Sequence, residues 1–523
     1  MTQFRLYDRI STIDDDIGTI KFVGYFPPDH NWKNTLIYGI EWDNPDRGKN
    51  NGNIDDKSYF KVDVPLSGSF IKFNNKKICH DRFNFIEVFI REYYNVDNYH
   101  ERNIKFGTKL VEELGFEKLN RIQSEFKNLS SVSLNGKGIV DAFDNDEEAV
   151  VFKDLQNITY LDLSFNLFNN LSSIYKIISH LNNLSNLNLN GNKFPDTSLD
   201  STLSSLNHES LTILKLNSTN ISINQVNLIL KSFPNLSQIH LSNNNYTDTD
   251  LTQLNLPPHV KFIDLSFNKL SKLYLSSFPH IETLLISDNH ITTISDLIIN
   301  KSIQQLDIRY NQVNEWTFID QLSIQLPNLQ NLRINNNPVF EIVGAGDQTE
   351  DQMVEKMFIQ LIARFECEDH KRGKGVRLSM INGSPLLESE IRNAELYFIS
   401  KYKSTINQPE YVISNKIRWE ILLQKYNVDD KVDSTIHQAS NKVQLKINNE
   451  NEIFTKTILL NLTILKLKGI ISRSIMNNSS ILNFHIYYYQ NDLKEYLDTN
   501  VFSQINEFNL SNNQTIYIEN ALR

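Results

Sequence analysis

The sequence predicts a multidomain protein: a small N-terminal β-barrel, a long α/β solenoid through the middle, and a compact α+β domain at the C-terminus. Three observations predict it. An L-x-x-L-x-L-x-x-N pattern recurs from about residue 129 to 340. Short β-prone runs broken by Gly, Pro and Asn fill residues 5 to about 90. From about residue 440, strand-like alternation flanks one stretch with helical spacing. A chain of 523 residues is too long for one hydrophobic core.

The repeats come first because they fix the architecture. The template fits at Ile158/Leu161/Leu163/Asn166, Leu184/Leu187/Leu189/Asn192, Leu236/Ile239/Leu241/Asn244 and Val260/Ile263/Leu265/Asn268. It fits again at Ile281/Leu284/Ile286/Asn289, Ile303/Leu306/Ile308/Asn311 and Leu329/Leu332/Ile334/Asn337. Leu211/Leu214/Leu216 carries Thr219 in the Asn position, and Leu129/Val132/Leu134 carries Lys137 there. This is a leucine-rich-repeat solenoid. The L-x-L pair sends one strand's side chains inward, and the Asn pairs backbone groups where the chain bends away. No repeat can bury its apolar face alone, so neighbours must stack. The starts are spaced by 29, 26, 27, 25, 24, 21, 22 and 26 residues. The longer steps leave room for a convex-side helix, the shortest for little more than a 3₁₀ turn or extended segment. A change of curvature is therefore expected near residue 260. Tyr160, Asp162, Lys215, His240, Asp264, Asp307 and Arg309 read as exposed on the concave strand face, the usual binding surface of such stacks.

The N-terminal module holds β-prone runs at Gly18–Gly24, Tyr38–Trp42, Tyr59–Val62 and Gly68–Lys72, the pattern of a small twisted barrel. Between the second and third lies Gly48-Lys49-Asn50-Asn51-Gly52. The two glycines are expected to take positive φ and to let a ligand backbone approach, Lys49 offers a mobile charge, and Asn50 offers a donor and an acceptor. With G-T-I at 18–20, Y-G-I-E-W-D at 38–43, Y-F at 59–60 and G-S-F-I-K at 68–72, the module resembles a CAP-Gly domain. That family's hallmark is G-K-N-D-G. Asn51 stands where Asp is commonest, and Ile37 stands where an aromatic is often found. The preceding stretch, residues 29–35, supplies Trp32 as a substitute ring. The resemblance implies binding of acidic tails ending in an aromatic residue. Gly48, Lys49, Asn50, Asn51, Gly52, Phe70 and Lys72 would form the site: Lys49 and Asn50 on the tail carboxylates, Phe70 and Lys72 at the aromatic slot.

After the last repeat, residues 353–364 and 388–398 have helical spacing and are expected to cap the stack within residues 341–402. Residues 403–439 read as a linker with some helix around 417–426. In the last block, Val443–Ile447 alternates as a strand and Thr457–Leu460 can pair with it. Ile464, Leu467, Ile471 and Ile475 form one helix face, and Phe484–Tyr489 and Thr515–Ile518 are later strands. This order resembles a ubiquitin-like β-grasp domain. The chain ends Ala521-Leu522-Arg523 rather than in Gly-Gly, so the domain is expected to dock and not to be conjugated.

Composition excludes several functions. The net charge of -10 and pI near 5.7 argue against general nucleic-acid binding. Two cysteines, Cys79 and Cys367, allow at most one disulfide and suit a reducing compartment. MTQFRLYDRI lacks the apolar region of a signal peptide, and no run long enough to span a membrane is expected. Asn-x-Ser/Thr triplets then reflect an Asn- and Ser-rich composition. Cys367 and His370 lack a second metal-binding pair. Lys371-Arg372-Gly373-Lys374-Gly375 lacks P-loop spacing and reads as an exposed basic loop. Neither G-x-S-x-G nor H-E-x-x-H occurs. Asp14-Asp15-Asp16 and the acidic residues from Asp141 to Glu148 read as solvated loops. No catalytic residue, metal or cofactor is expected, and the protein is expected to bind rather than catalyse.

The order of CAP-Gly, leucine-rich-repeat and ubiquitin-like domains resembles the tubulin-specific chaperone E (tubulin-folding cofactor E) family over nearly the whole chain. The resemblance implies a cytoplasmic, cytoskeletal protein that binds α-tubulin. It would help assemble and dissociate the αβ heterodimer with cofactors B, C and D. It also implies a ubiquitin-like domain that contacts cofactor B or degradation machinery. A microtubule-associated adaptor would use the same groove while leaving dimers intact, and that alternative stays open on sequence alone.

Overall fold

The computed structural model describes residues 3–27, 30–54, 57–93, 105–106, 109–110, 126–145, 148–195, 207–340, 358–369, 377–405, 416–428, 442–449, 452–476, 479–490, 493–508 and 510–520. Residues 353–357 of the helix expected over 353–364, His370 and the basic stretch 371–375 lie outside them. The chain forms two compact units, Met1–Tyr426 and Asn427–Arg523.

In the first unit, strands Arg9–Ser11, Ile17–Gly24, Ile37–Trp42 and Gly68–Lys72 make an antiparallel four-stranded sheet in that order. The sheet curls over a core of Phe4, Ile10, Ile20, Tyr38, Ile40, Trp42 and Ile78. Single bridges, Thr12 to Ile78 and Asn50 to Gly68, complete the module, so it is a strongly bent sheet rather than a fully hydrogen-bonded barrel. The expected strand at Tyr59–Val62 is not formed. The short strand here is Lys57–Ser58, and the chain beyond it is held by side chains instead. Phe60 packs over Gly39, where a Cβ would sit 2.4 Å from its ring.

The module's last elements belong to the solenoid. Phe83–Asn84 pairs in parallel with Ile139–Asp141. The helix Phe85–Tyr93 begins on a reciprocal cap, with Asn84 Oδ1 accepting from Glu87 N and Glu87 Oε2 accepting from Asn84 N. Its inner face stacks Phe85 on Phe152, centroids 5.6 Å apart, and sets Phe89 5.0 Å from Phe126, which closes the first repeat.

The repeats build one sheet of eleven strands among the described residues, parallel except for its last strand. Each strand is three residues long in the repeats, with the central Leu or Ile buried and its neighbours turned to the concave face. The Asn column performs the backbone pairing its position predicts. Asn268 donates to Leu241 O at 3.2 Å and Leu265 O at 2.8 Å, and accepts from Asn244 N and Tyr246 N, both at 3.0 Å. Thr219 substitutes with a shorter reach, donating to Leu216 O at 2.8 Å. The residue before each column position turns the chain through the left-handed region: Phe165, Gly191, Ser218, Asn243, Phe267, Asp288, Tyr310 and Asn336 have φ from +53° to +73°.

Repeat length sets the convex layer. Helices Leu171–Ile178, Ile223–Ser232 and Trp316–Gln325 occupy long repeats. The two shortest carry only Lys272–Leu273, Thr293–Ile294 and the 3₁₀ turn Leu275–Ser277. One concave position differs from expectation: Asp307 is buried, at 6% exposure, because Arg309 lies along it with Nη2 at 2.7 Å from Oδ2.

The ladder does not stop at residue 340. Met380–Ile381 adds in parallel to Asn331–Arg333 and folds back through Asn382-Gly383, both left-handed, onto Ser384–Pro385. Residues 358–364 are helical, and Arg364 joins them to the stack, 3.0 Å from Asp320 and 4.2 Å over the Trp316 ring. Helices Glu388–Thr405 and Lys416–Lys425 complete the cap. The second was expected within a linker, but Arg418 and Lys425 fasten it to the buried Glu395 at 2.7 and 2.5 Å.

The second unit has strand order Glu452–Leu459, Lys442–Asn449, Gln514–Asn520, Phe484–Gln490, Leu493–Tyr496, with the central pair parallel. Sequence alternation missed Leu493–Tyr496, whose four residues are all exposed. Helix Ile464–Ser474, capped by Thr463, packs Ile464, Leu467 and Ile471 against Val443, Leu445, Ile486 and Ile516. Lys468 is buried in this core, held 2.6 Å from Asp498.

Candidate tail-binding groove

The groove begins with the local turn at 44–52. Asn44 caps the 3₁₀ turn Pro45–Arg47 through Asp46 N. Gly48 follows with φ of -70°, so its expected positive φ is not what it supplies. The requirement is steric: a Cβ there would lie 1.9 Å from Leu66 O. Gly52 does take a left-handed conformation, φ +84°, and a Cβ there would lie 2.2 Å from Phe60 O. The glycines therefore let the protein's own backbone approach, not a ligand's. Lys49 N and Asn50 N both donate to Gly68 O, at 2.6 and 3.0 Å, which locks the turn onto the Gly68–Lys72 strand.

Both asparagines turn their carbonyl oxygens inward. Asn50 Oδ1 accepts from Gly52 N at 2.9 Å, and Asn51 Oδ1 accepts from Leu66 N at 2.6 Å. Asn51 thus does structural work that needs an acceptor only, which explains why an Asn serves where Asp is commonest. Asn50 keeps its amide N–H groups to donate, the polarity a carboxylate requires.

The aromatic wall comes from distant segments. Phe70 lies 5.2 Å from Phe26, 5.6 Å from Tyr59, 5.3 Å from Phe60 and 6.4 Å from Phe22. Trp32 stacks on Phe26 at 6.3 Å, and Lys72 Nζ sits 4.8 Å over the Trp32 ring. Ile37 is fully buried and lines nothing. The result is a cleft of about 760 Å³ bordered by Trp32, Phe70, Lys72, Lys49, Arg47 and Lys77 with Asp14 and Asp16.

Its charges are unequal. Arg47 is neutralised by Asp16 at 2.6 Å and Lys77 by Asp14 at 2.7 Å. The Lys77 hydrogen bond and charge hold the Asp14 carboxyl below its ordinary value. Lys49 and Lys72 have no carboxylate partner among the described residues. Of the site residues expected from sequence, Lys49, Phe70 and Lys72 border the cleft, while Gly48, Asn50, Asn51 and Gly52 shape the turn behind it. Arg47, Phe26 and Tyr59 were missed, since their places depend on pairing between strands far apart in sequence. The density of aromatics at 22–32 and 59–60 was the available signal.

Elsewhere, no group of three or more metal-ligating side chains occurs among the described residues, and none of their helices is long and apolar enough to cross a membrane. Cys367 is a free thiol that burial pushes up to about 12.

The bent sheet, the locked glycine turn and the cationic aromatic cleft define a CAP-Gly module, and the CAP-Gly domain family matches residues 6–76. Here that module is joined to a leucine-rich-repeat stack, with a β-grasp domain following. The chain is 30% identical to Protein PAC2 of Saccharomyces cerevisiae, covering 99% of this chain and 97% of that one. It is 28% identical to tubulin-specific chaperone E of Homo sapiens, covering 88% of each. The solved C-terminal ubiquitin-like domain of mouse tubulin-specific chaperone E aligns with 17% of this chain and 96% of its own length, at 17% identity and a TM-score of 0.15. The chain belongs to the tubulin-specific chaperone E family.

Proposed function

We propose that this protein is a tubulin-folding cofactor whose groove captures the acidic, aromatic-ended C-terminal tail of α-tubulin while the solenoid holds the folded subunit. The observation that carries the proposal is a pair of uncompensated lysines, Lys49 and Lys72, beside the Trp32–Phe70 wall. Carboxylates at the end of a tail would meet the two ammonium groups, and the terminal ring would lie against Phe70 and Trp32. Charge-assisted hydrogen bonds contribute about 1.5–3 kcal/mol each. A few of these with one buried ring give roughly micromolar affinity after association costs. Capturing the tail raises the local concentration of the tubulin body at the solenoid. Binding, not catalysis, is the activity. In this role the protein works in the cytoplasm and at the cytoskeleton, with cofactors B, C and D, to assemble and dissociate the αβ heterodimer. It binds neither nucleic acid nor membrane.

The expected result is that removing the terminal aromatic residue from a tail peptide weakens its binding to the full chain at least tenfold. Equal affinity for both peptides in a fluorescence titration would show that the aromatic slot is not used. Release of tubulin subunits from dimers distinguishes the cofactor from an adaptor, which would instead co-sediment with intact microtubules.

A further inference from the structure

We propose that the uncovered part of the solenoid's left-handed rim, Phe267 to Tyr310, is a second docking ledge for the same protein whose tail enters the groove. This rests on the function proposed above. The rim is the row of residues preceding the Asn column, all with positive φ. Such backbone suits Gly, Asn and Asp and is costly for bulky residues. Gly191, Asn243, Asp288 and Asn336 follow that rule, whereas Phe165, Phe267 and Tyr310 break it.

Phe165 has a structural task. Its ring covers Gly191, lying 2.4 Å from where a Cβ would be. All three rings are about equally exposed, Phe165 at 50%, Phe267 at 58% and Tyr310 at 51%, but the residues that follow Phe267 and Tyr310 on the rim, Asp288 and Asn336, leave no bare glycine for a ring to cover.

The rim already meets the N-terminal module at Gly191. Arg9, fully buried and paired to Asp43, donates to Gly191 O at 3.3 Å. Just past the column, in the same repeats, Asn169 donates to Tyr7 O at 3.2 Å, and Asn220 donates to Asp63 at 3.1 Å. A cleft of about 430 Å³ between module and stack extends to Asn243 and Asn245. The next rim positions are Phe267, Asp288 and Tyr310. They continue the ledge on which the tail-binding module sits. At about 4.8 Å per strand, the two rings stand roughly 10 Å apart. Asp288, between them, has no ion pair within 4 Å among the described residues, although the Arg309 charge, itself paired to Asp307, lies near it. The occupant this row fits is the folded body of the tail-bearing subunit, presenting apolar side chains around a Lys or Arg. Exposed aromatic anchors of this kind carry most of the energy of a protein interface.

The test uses the full chain with Phe267→Asn and Tyr310→Asn together. Asn243 and Asn336 already occupy this rim position, so the substitution suits the backbone. The expected result is an unchanged or raised melting temperature, unchanged affinity for an isolated tail peptide, and roughly tenfold or greater loss of affinity for αβ-tubulin. Unchanged tubulin affinity, or an equal loss for the tail peptide, overturns the ledge. Should the pair fail to fold, Asp288→Lys carries the test with the same two outcomes. Failure of the unaltered chain to bind tubulin at all would instead remove the proposed function itself.

Discussion

Replacing Lys49 and Lys72 together with alanine is expected to weaken the proposed binding of the α-tubulin tail by roughly thirtyfold at low salt. Each lysine offers a charge-assisted hydrogen bond, nominally about 1.5–3 kcal/mol. Lys49 is exposed, so solvent screening brings the pair nearer to 2 kcal/mol in all, by an order-of-magnitude estimate. Lys72 is better shielded, because its ammonium rests on the Trp32 ring at 4.8 Å. The unaltered protein should lose affinity steeply with salt, since the screening length falls from about 10 Å at 0.1 M to about 3 Å at 1 M. The double variant should show a much flatter salt dependence. Its melting temperature should stay within a degree or two of the parent's, because neither lysine holds an ion pair among the described residues. A titration at three salt concentrations checks both parts. Unaltered affinity with unaltered salt dependence would mean the tail binds elsewhere.

Glu395→Ala should destabilise the solenoid's C-terminal cap by about 3–5 kcal/mol, the usual result of removing one partner from a buried charge network. Glu395 is 1% exposed and binds Arg418 Nη2 at 2.7 Å, Lys425 Nζ at 2.5 Å and Tyr426 Oη at 2.7 Å. Without it, the buried Arg418 guanidinium loses its carboxylate while still donating to Ala363 O. Burial alone would raise the Glu395 carboxyl. The hydrogen bonds from Lys425 and Tyr426 and the Arg418 charge outweigh burial and hold the carboxyl below its ordinary value. A carboxyl depressed in the folded state contributes stability that is present above its unfolded pKa, about 4.3. That contribution is lost as pH falls through the folded pKa. The stability gap between parent and variant should therefore be full at pH 7 and shrink below about pH 4. Urea unfolding followed across that range measures it, with a gap independent of pH as the contrary result.

These two sites differ in how far sequence reveals them. The repeats are legible because each carries its own instruction: inward leucines, then an Asn that must pair the turn. That instruction placed Asn166 through Asn337 without knowledge of any neighbour. The groove was legible in its turn, since Gly48 and Gly52 stand in a recognisable frame, but not in its reasons. Gly48 was expected to supply a positive φ, yet it is required because Leu66 and Ser67 pass too close for a Cβ. That contact joins residues separated along the chain, as do the Phe26–Phe70 and Trp32–Lys72 contacts. The Glu395 network was invisible for the same reason. Arg418 sits in a segment without periodicity, and only packing shows that it turns an apparent linker helix into part of the cap. Arg9 gave no sign of bridging the N-terminal module to Gly191. Local pattern fixes local elements, and the contacts that unite them must be seen in three dimensions.

In the proposed complex, one tubulin subunit is held by its tail in the groove and by its body on the solenoid. Zero-length crosslinking of the full chain to αβ-tubulin, read out by mass spectrometry, tests it most directly. Bonds are expected from Lys49 and Lys72 to glutamates of the α-tubulin tail. Bonds are also expected from concave-face and rim carboxylates, including Asp288, to lysines of the same subunit's body. Tail glutamates linked to other lysines while Lys49 and Lys72 stay unmodified, or body links confined to the convex helices, would contradict it.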